Sequence, residues 1–274
     1  MPRPTHSDIF PDVPGPSVRD RLRRLRRLVL AGAWTVTCYL GWAVGALATL
    51  PYRPAARRWN GRTIRIWSRG LLRIFGVRTR LVGPPPSAPF LLVANHLGYL
   101  DILVLGSAVG ATFVSKHDLA HWPVLGHLAR VTGTIFVNRE RRRDAVRVMG
   151  AIDRAWTEGA GIVLFPEGTS SRGDRIYPLK SALLEWAARH DQPVHVAVLR
   201  YATGDPAHPA DEAVCWWGEI GFVAHGARLL AIRRIDATLI FSPTVARESD
   251  RNRLTERAHA MLSHLHQTPE LPPP

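Results

Sequence analysis

From Leu28 to Leu50 the chain carries no charged side chain, and arginines close this stretch on both sides. At a rise of ~1.5 Å per residue, a helix of that length reaches across the hydrocarbon core of a bilayer. It is too long for a typical signal-peptide core, and no clear cleavage site follows it. Arg26 and Arg27 precede it and Arg53, Arg57 and Arg58 follow, so the positive-inside rule sets no orientation. A full span and a helix that enters one leaflet and returns are both open, with a buried core helix as the remaining alternative.

The distribution of charge sharpens this. Residues 1–80 hold 16 Arg and 3 Asp without Lys or Glu, which gives +13 of the chain's net +14. The remaining residues hold 20 basic and 19 acidic side chains, which gives +1. A nucleic-acid enzyme would more often carry its basic surface around the catalytic domain. Here the charge flanks an apolar segment, which points to anionic membrane lipids as partners and to no nucleic acid. Two cysteines, Cys38 and Cys215, give no disulfide framework, so the catalytic part is expected in a reducing, cytoplasmic environment.

Composition and punctuation divide the chain into a disordered leader (1–18), a basic helical membrane anchor (19–82), a catalytic domain (83–266) and a disordered tail (267–274). Within the anchor, 55–76 reads as a basic helix. Its Trp59, Ile64, Trp67, Leu71, Leu72 and Phe75 would sit at the headgroup boundary while its arginines face phosphates. A surface helix packed on the globular domain is the alternative. After the Gly83-Pro84-Pro85-Pro86-Ser87 break, strands and helices alternate. Strands are expected at Pro89–Ala94, Ala111–Ser115, Gly133–Val137, Gly161–Phe165, Val194–Tyr201 and Ala237–Ser242. Helices are expected from near Tyr99, over 140–157 and over Leu179–Arg189. This alternation predicts an α/β layer structure.

The strongest local signal is Asn95-His96-Leu97-Gly98-Tyr99-Leu100-Asp101, directly after an apolar strand. On a continuous helix, residues five apart lie ~140° apart and cannot meet. If His96 stays in the strand-to-helix turn and Asp101 lies in the first helical turns, the carboxylate can fold back onto the imidazole. Such a pair fixes the tautomer and stabilises the imidazolium formed when the other nitrogen takes a proton. The alternative is Asn95 as a helix cap and Asp101 as a first-turn charge. Two further strands end in polar groups: Gly133-Thr134-Ile135-Phe136-Val137-Asn138-Arg139, and the strand that runs into Phe165-Pro166-Glu167-Gly168-Thr169. Strand ends are where α/β folds place ligands.

These three segments, in this order, resemble the motifs of the glycerolipid acyltransferases, especially the 1-acylglycerol-3-phosphate acyltransferase family, over about Phe90 to Tyr201. Val114-Ser115-Lys116 and Trp122-Pro123-Val124-Leu125-Gly126 also resemble the segment between the first two family motifs. The resemblance implies a single α/β acyltransferase domain, a mixed sheet flanked by helices, tied to N-terminal membrane-anchoring helices. It implies His96 as general base on the acceptor hydroxyl and Asp101 as its partner. Arg139 would hold the acceptor phosphate, Lys116 would be a phosphate or oxyanion contact, and Asn95, Glu167, Gly168 and Thr169 would shape the acceptor site. The donor would be acyl-CoA or acyl-carrier protein, with no cofactor and no metal. The acceptor would be a lysophospholipid, 1-acylglycerol-3-phosphate first, giving phosphatidic acid. A bacterial inner membrane is the implied location, with the catalytic domain on the cytoplasmic side.

Two departures bear on the acceptor. The family often has arginine directly after the Phe-Pro-Glu-Gly-Thr segment, whereas here Ser170 and Ser171 precede Arg172; either the shifted arginine still reaches a phosphate or the acceptor lacks that phosphate. Leu179-Lys180-Ser181-Ala182-Leu183 and Cys215-Trp216-Trp217-Gly218-Glu219 resemble a branch that includes lyso-ornithine-lipid acyltransferases, so that lysolipid is the alternative acceptor. More distant readings are a zinc metallohydrolase, from His117-Asp118-Leu119-Ala120-His121, and a non-catalytic membrane adaptor built on the basic N-terminus.

Overall fold

The computed structural model describes residues 17–138 and 144–269, so most of the leader and tail expected from the sequence lies outside the described residues, while Val18 of the expected leader and Gln267 of the expected tail are helical. Helix α1 (Val18–Thr49) joins the basic run and the uncharged stretch into one element. Its start is a capping box: the Ser17 hydroxyl accepts the Asp20 amide at 3.2 Å, and Asp20 accepts the Ser17 amide at 3.2 Å. A tight turn over 50–52 leads to α2 (Arg53–Phe75), which ends at Gly76 with φ 76°. The helices form an antiparallel hairpin joined by indoles. Trp34 Nε1 donates to the Trp67 carbonyl at 3.0 Å and Trp59 Nε1 to the Trp42 carbonyl at 3.0 Å. Gly45 and Gly70 make room for these rings, since a Cβ at either would stand 2.0 Å from Trp59 or Trp34.

Strand β1 (Val77–Val82) follows, then β2 (Phe90–Ala94), α3 (Leu100–Val109), β3 (Thr112–Lys116), a 3-10 turn (His117–His121), α4 (Leu125–Val131) and β4 (Ile135–Val137). The second half comprises α5 (Asp144–Thr157), β5 (Gly161–Leu164), α6 (Glu185–Arg189), β6 (Val194–Ala202), α7 (Ala210–Ala213), α8 (Phe222–Leu229), β7 (Ile235–Phe241) and α9 (Arg251–Gln267). The seven strands form one mixed sheet in the order β1-β7-β6-β2-β5-β3-β4. Among the strand pairs of the described residues, only β6–β7 is antiparallel. Central β2 is buried at every residue, as a strand covered on both faces must be. Its alternation sends Phe90, Leu92 and Ala94 into one core with α2 and α3, and Leu91 and Val93 into the other with α5, α6 and α9.

Several sequence expectations change. β1 falls inside the segment expected to be anchor, yet it pairs in register with β7 from Val77↔Ile235 to Val82↔Ile240. Its Arg78 and Arg80 disguise a strand as more of the basic region. The helix expected over Leu179–Arg189 is broken into a 3-10 turn (Ser181–Leu183) and α6, because the Lys180 amide donates to the Pro166 carbonyl at 2.8 Å and holds residue 180 extended. The apolar side of α2 is not free for lipid: Ile64, Leu71 and Leu72 are buried, and Trp59 and Trp67 bond to α1. What α2 leaves exposed is an arginine face with Arg58, Arg62, Arg69 and Arg73 at helical spacing.

Not every arginine of the basic run is free either. Arg27 is 4% exposed and donates to the carbonyls of Leu230 (2.9 Å), Ile232 (2.6 Å) and Arg233 (3.1 Å), just beyond the C-terminus of α8. Arg23 reaches the Ala231 carbonyl beside it. Those carbonyls lie past the end of α8, outside its hydrogen-bond ladder. The N-terminal turns of α1 are therefore locked to the catalytic domain.

Candidate active site

The sheet ends the apolar run of β2 in a turn that is fixed from three directions. On one side Asn95 continues the pairing with β6 through its side chain: Nδ2 donates to the Leu199 carbonyl at 3.0 Å, and Oδ1 accepts the Leu199 amide at 2.7 Å. On the other side the ladder to β5 stops where Pro166 has no N–H to offer. The Glu167 carboxylate takes over there, accepting the His96 amide at 2.9 Å and the Tyr177 amide at 2.8 Å. The Ser171 amide returns a bond to the His96 carbonyl at 2.9 Å. Burial pushes the Glu167 carboxyl above the ordinary carboxylate value, against the two amides that pull it down.

The third constraint is Asp101, in the first turn of α3 and 0% exposed. Its Oδ2 lies 2.8 Å from His96 Nδ1 and also accepts the amides of Leu97 (2.6 Å) and Gly98 (3.0 Å). Its Oδ1 accepts the Tyr201 hydroxyl at 2.7 Å. Burial first, and then the charge of Asp101, raises the Tyr201 phenol well above its usual range, so this group stays an O–H donor. Four donors on one buried carboxylate offset its desolvation and fix its orientation. The imidazole stacks on Phe165, ring centroids 4.2 Å apart, and its side chain is 24% exposed. With Nδ1 turned to Asp101, Nε2 is the nitrogen left for a substrate proton.

The structure thus brings His96 and Asp101 together and shows what the other expected site residues contact. Asn95 and Glu167 are buried and spend their polar atoms on backbone, so they brace the turn. Arg172 is engaged by Asp211 at 2.6 Å and Glu212 at 3.4 Å and lies over the Trp217 ring, so its charge is already compensated. Lys116 is exposed and paired with Asp118. Thr169 is exposed on the turn, and Gly168 supplies that turn's φ of 75°, a left-handed value that favours glycine. Arg139 lies outside the described residues. Tyr201, which sequence reasoning missed, could have been suspected from its place at the end of β6, in phase with Ala197 and Leu199 on the α3 face.

His117 and His121 stand with ring centroids 4.9 Å apart in a 3-10 turn, and among the described residues no third potential ligand converges on them. A histidine away from the His96 turn has a structural consequence. His225 on α8 is 0% exposed, shares a 2.8 Å hydrogen bond with the Tyr99 hydroxyl, and is pushed by burial from 6.5 down to about 4. Between those values the unfolded chain takes up a proton that the folded chain refuses, so stability is lost as pH falls from 6.5 toward 4. Half-buried His195 is shifted the same way. We expect unfolding free energy to fall over this window, and His225→Gln to flatten the slope by up to about 1.4 kcal/mol per pH unit. Denaturant titrations at several pH values check it; parallel profiles for the two chains would refute the assignment.

Comparison with known proteins defines first the class and then the family. The acyltransferase family profile matches residues 79–200, the span that holds β2, the His96 turn, Glu167 and β6 up to Arg200. The lyso-ornithine lipid O-acyltransferase of Rhizobium meliloti is 33% identical over 228 residues, 76% of each chain. The 1-acyl-sn-glycerol-3-phosphate acyltransferase of Neisseria meningitidis is 33% identical over 135 residues, 48% of this chain and 53% of that one. The crystal structure of the 1-acyl-sn-glycerophosphate acyltransferase of Thermotoga maritima shares the fold, with a TM-score of 0.64 over 90% of this chain and 95% of that one at 17% identity. The chain is an O-acyltransferase. It belongs to the glycerolipid acyltransferase family.

Proposed function

We propose that the enzyme transfers a fatty acyl group from a thioester donor, acyl-CoA or acyl-carrier protein, to the hydroxyl of a lysolipid, with His96 as general base. The observation that carries this reading is the 2.8 Å contact between His96 Nδ1 and the buried Asp101 carboxylate at the C-terminal end of β2. Nε2 takes the acceptor's hydroxyl proton as its oxygen attacks the thioester carbonyl. The tetrahedral intermediate then expels the thiolate, which recovers the proton from the imidazolium, leaving an ester and a free thiol. Asp101 stabilises the imidazolium in between.

Two acceptors suit this chemistry: 1-acylglycerol-3-phosphate, and the lyso-ornithine lipid named for the relative that aligns over three quarters of the chain. The neutralised Arg172 favours the second, because a phosphate would have to displace Asp211 and Glu212 from the guanidinium. The outward face of α1 carries Val18, Leu22, Leu25, Val29, Val36, Leu40, Val44 and Leu47, all exposed. It lies opposite the face that packs on the domain through Arg27, Ala31 and Trp34. An apolar stripe this long, on a helix strapped lengthwise to the protein, suits a helix lying in one leaflet better than one standing across the bilayer. Exposed Arg58, Arg62, Arg69 and Arg73 on α2 suit anionic headgroups. Cytoplasmic donors place the catalytic domain on the cytoplasmic side of a bacterial inner membrane.

Purified enzyme offered lyso-ornithine lipid and 1-acylglycerol-3-phosphate, each with labelled acyl-CoA or acyl-carrier protein, tests the reaction and the acceptor together. We expect transfer to lyso-ornithine lipid, unchanged by Arg139→Ala. Transfer to the phosphate acceptor alone, with KM raised by Arg139→Ala, would reverse the choice of headgroup. No transfer to any lysolipid would end the proposal.

A further inference from the structure

We propose that Trp122, Val124, Phe222 and Val223 form a second lipid-docking rim, separate from the outward stripe of α1, that seats the catalytic turn on the membrane surface. This rests on the functional reading above and extends it to how the site meets its substrate. Val124 is 69% exposed and Val223 81%. Single exposed valines need no explanation, but these two follow closely on Trp122 and Phe222, which belong to one ring cluster. Trp122 and Phe222 meet edge to face at 4.8 Å between centroids, and Trp216 and Tyr99 lie 6.0 Å and 4.9 Å from Phe222.

That cluster is directly attached to the catalytic turn. The Trp216 amide donates to the Leu97 carbonyl at 2.7 Å, and Tyr99 is the residue that opens α3 two positions before Asp101. The backbone at Val124 points to a purpose. Its φ of 61° and ψ of −60°, with the Leu125 amide donating to the Pro123 carbonyl at 2.6 Å, describe a γ-turn of positive φ. A β-branched side chain rarely adopts that conformation. Here it projects a valine into the surroundings, where water would gain nothing from it. Such strain concentrates at functional positions.

The lipid surface is the occupant because the rim is continuous with α1. Tyr39 of α1 shares a 3.0 Å hydrogen bond with His127, one turn after Val124. Arg27 of α1 fixes the carbonyls that follow α8, the helix that begins with Phe222 and Val223. The Tyr39 bond, next to Leu40 of the apolar stripe, ties α1 to the Val124 turn, and the Arg27 contacts, on the opposite face of α1, tie it to α8. Tryptophan with aliphatic neighbours suits the depth where headgroups meet acyl chains. An acidic carrier protein would instead call for exposed cations, and the four rim residues carry none.

The test compares the full chain with the double variant V124N/V223S, which removes the projecting methyl groups and relieves the turn. Flotation with phosphatidylglycerol–phosphatidylethanolamine vesicles should show binding weakened at least about tenfold. Transfer to lyso-ornithine lipid embedded in those vesicles should fall with it, while transfer to the same acceptor dispersed in detergent stays at the native rate. The thermal midpoint should not drop. Equal flotation of the two chains overturns the proposal. So does a loss that is as large on the dispersed acceptor, which would place these residues in donor binding or in the fold. Should the native chain acylate no lysolipid, the functional reading fails, and flotation still decides the rim.

Discussion

His96→Ala is expected to leave a folded, membrane-binding chain whose acyl transfer is lost by at least about 10²–10⁴-fold. The substitution removes one ring and little else. The backbone amide of residue 96 still meets Glu167, its carbonyl still accepts from Ser171, and Asp101 keeps the amides of Leu97 and Gly98 and the Tyr201 hydroxyl. Three of the four donors on the buried carboxylate survive, so the turn keeps its shape. The stacked contact with Phe165 is given up, with a stability change of about 1 kcal/mol. Initial rates with a labelled thioester donor, read beside thermal unfolding, separate the two effects. A variant that keeps more than a tenth of the native rate would show that another group removes the proton.

The His96 turn was legible in the sequence because its determinants are local. An unbroken apolar strand, Phe90–Ala94, has to be buried, and the chain leaving it must turn before Leu100 can begin a helix. That geometry alone lets His96 and Asp101 meet. The braces around them were not legible, because each joins residues far apart in the chain. Nothing near Asn95 says that its amide will pair with Leu199, and nothing near Tyr201 says that its hydroxyl will find Asp101. Glu167 illustrates the difference best. Its motif marks it as belonging to the site, but only the fold shows that it spends both oxygens on backbone amides. The motif residues divide into His96, for which we propose the chemistry, and others such as Asn95 and Glu167 that hold its turn still.

The same distinction applies to the basic N-terminus. Net charge singled out the N-terminal part of the chain, yet composition treats all arginines alike. Arg27 is buried against carbonyls beyond α8, whereas Arg58, Arg62 and Arg73 are exposed. Partner choice depends on contacts across the hairpin and the sheet edge, which no window of sequence contains.

Asp101→Asn is the second large effect, and the geometry fixes its form. Two backbone amides besides the imidazole converge on Oδ2, so an asparagine must turn its carbonyl oxygen to that corner; the opposite rotamer would set an NH₂ against three donors. The oxygen then still accepts from Nδ1, and the imidazole keeps the tautomer that leaves Nε2 free. The NH₂ group faces Tyr201, whose hydroxyl can reverse from donor to acceptor. What disappears is the negative charge beside the imidazolium. We therefore expect kcat to fall by roughly 10²-fold or more, with KM for both substrates little changed and stability lower by about 1–3 kcal/mol for the disturbed Tyr201 contact. Asp101→Ala, by contrast, strips the partner from four donors at once and should unfold the turn. A D101N enzyme of near-native kcat would mean that the buried charge orients His96 without helping it carry a proton, and the case for His96 as base would then lose its electrostatic half.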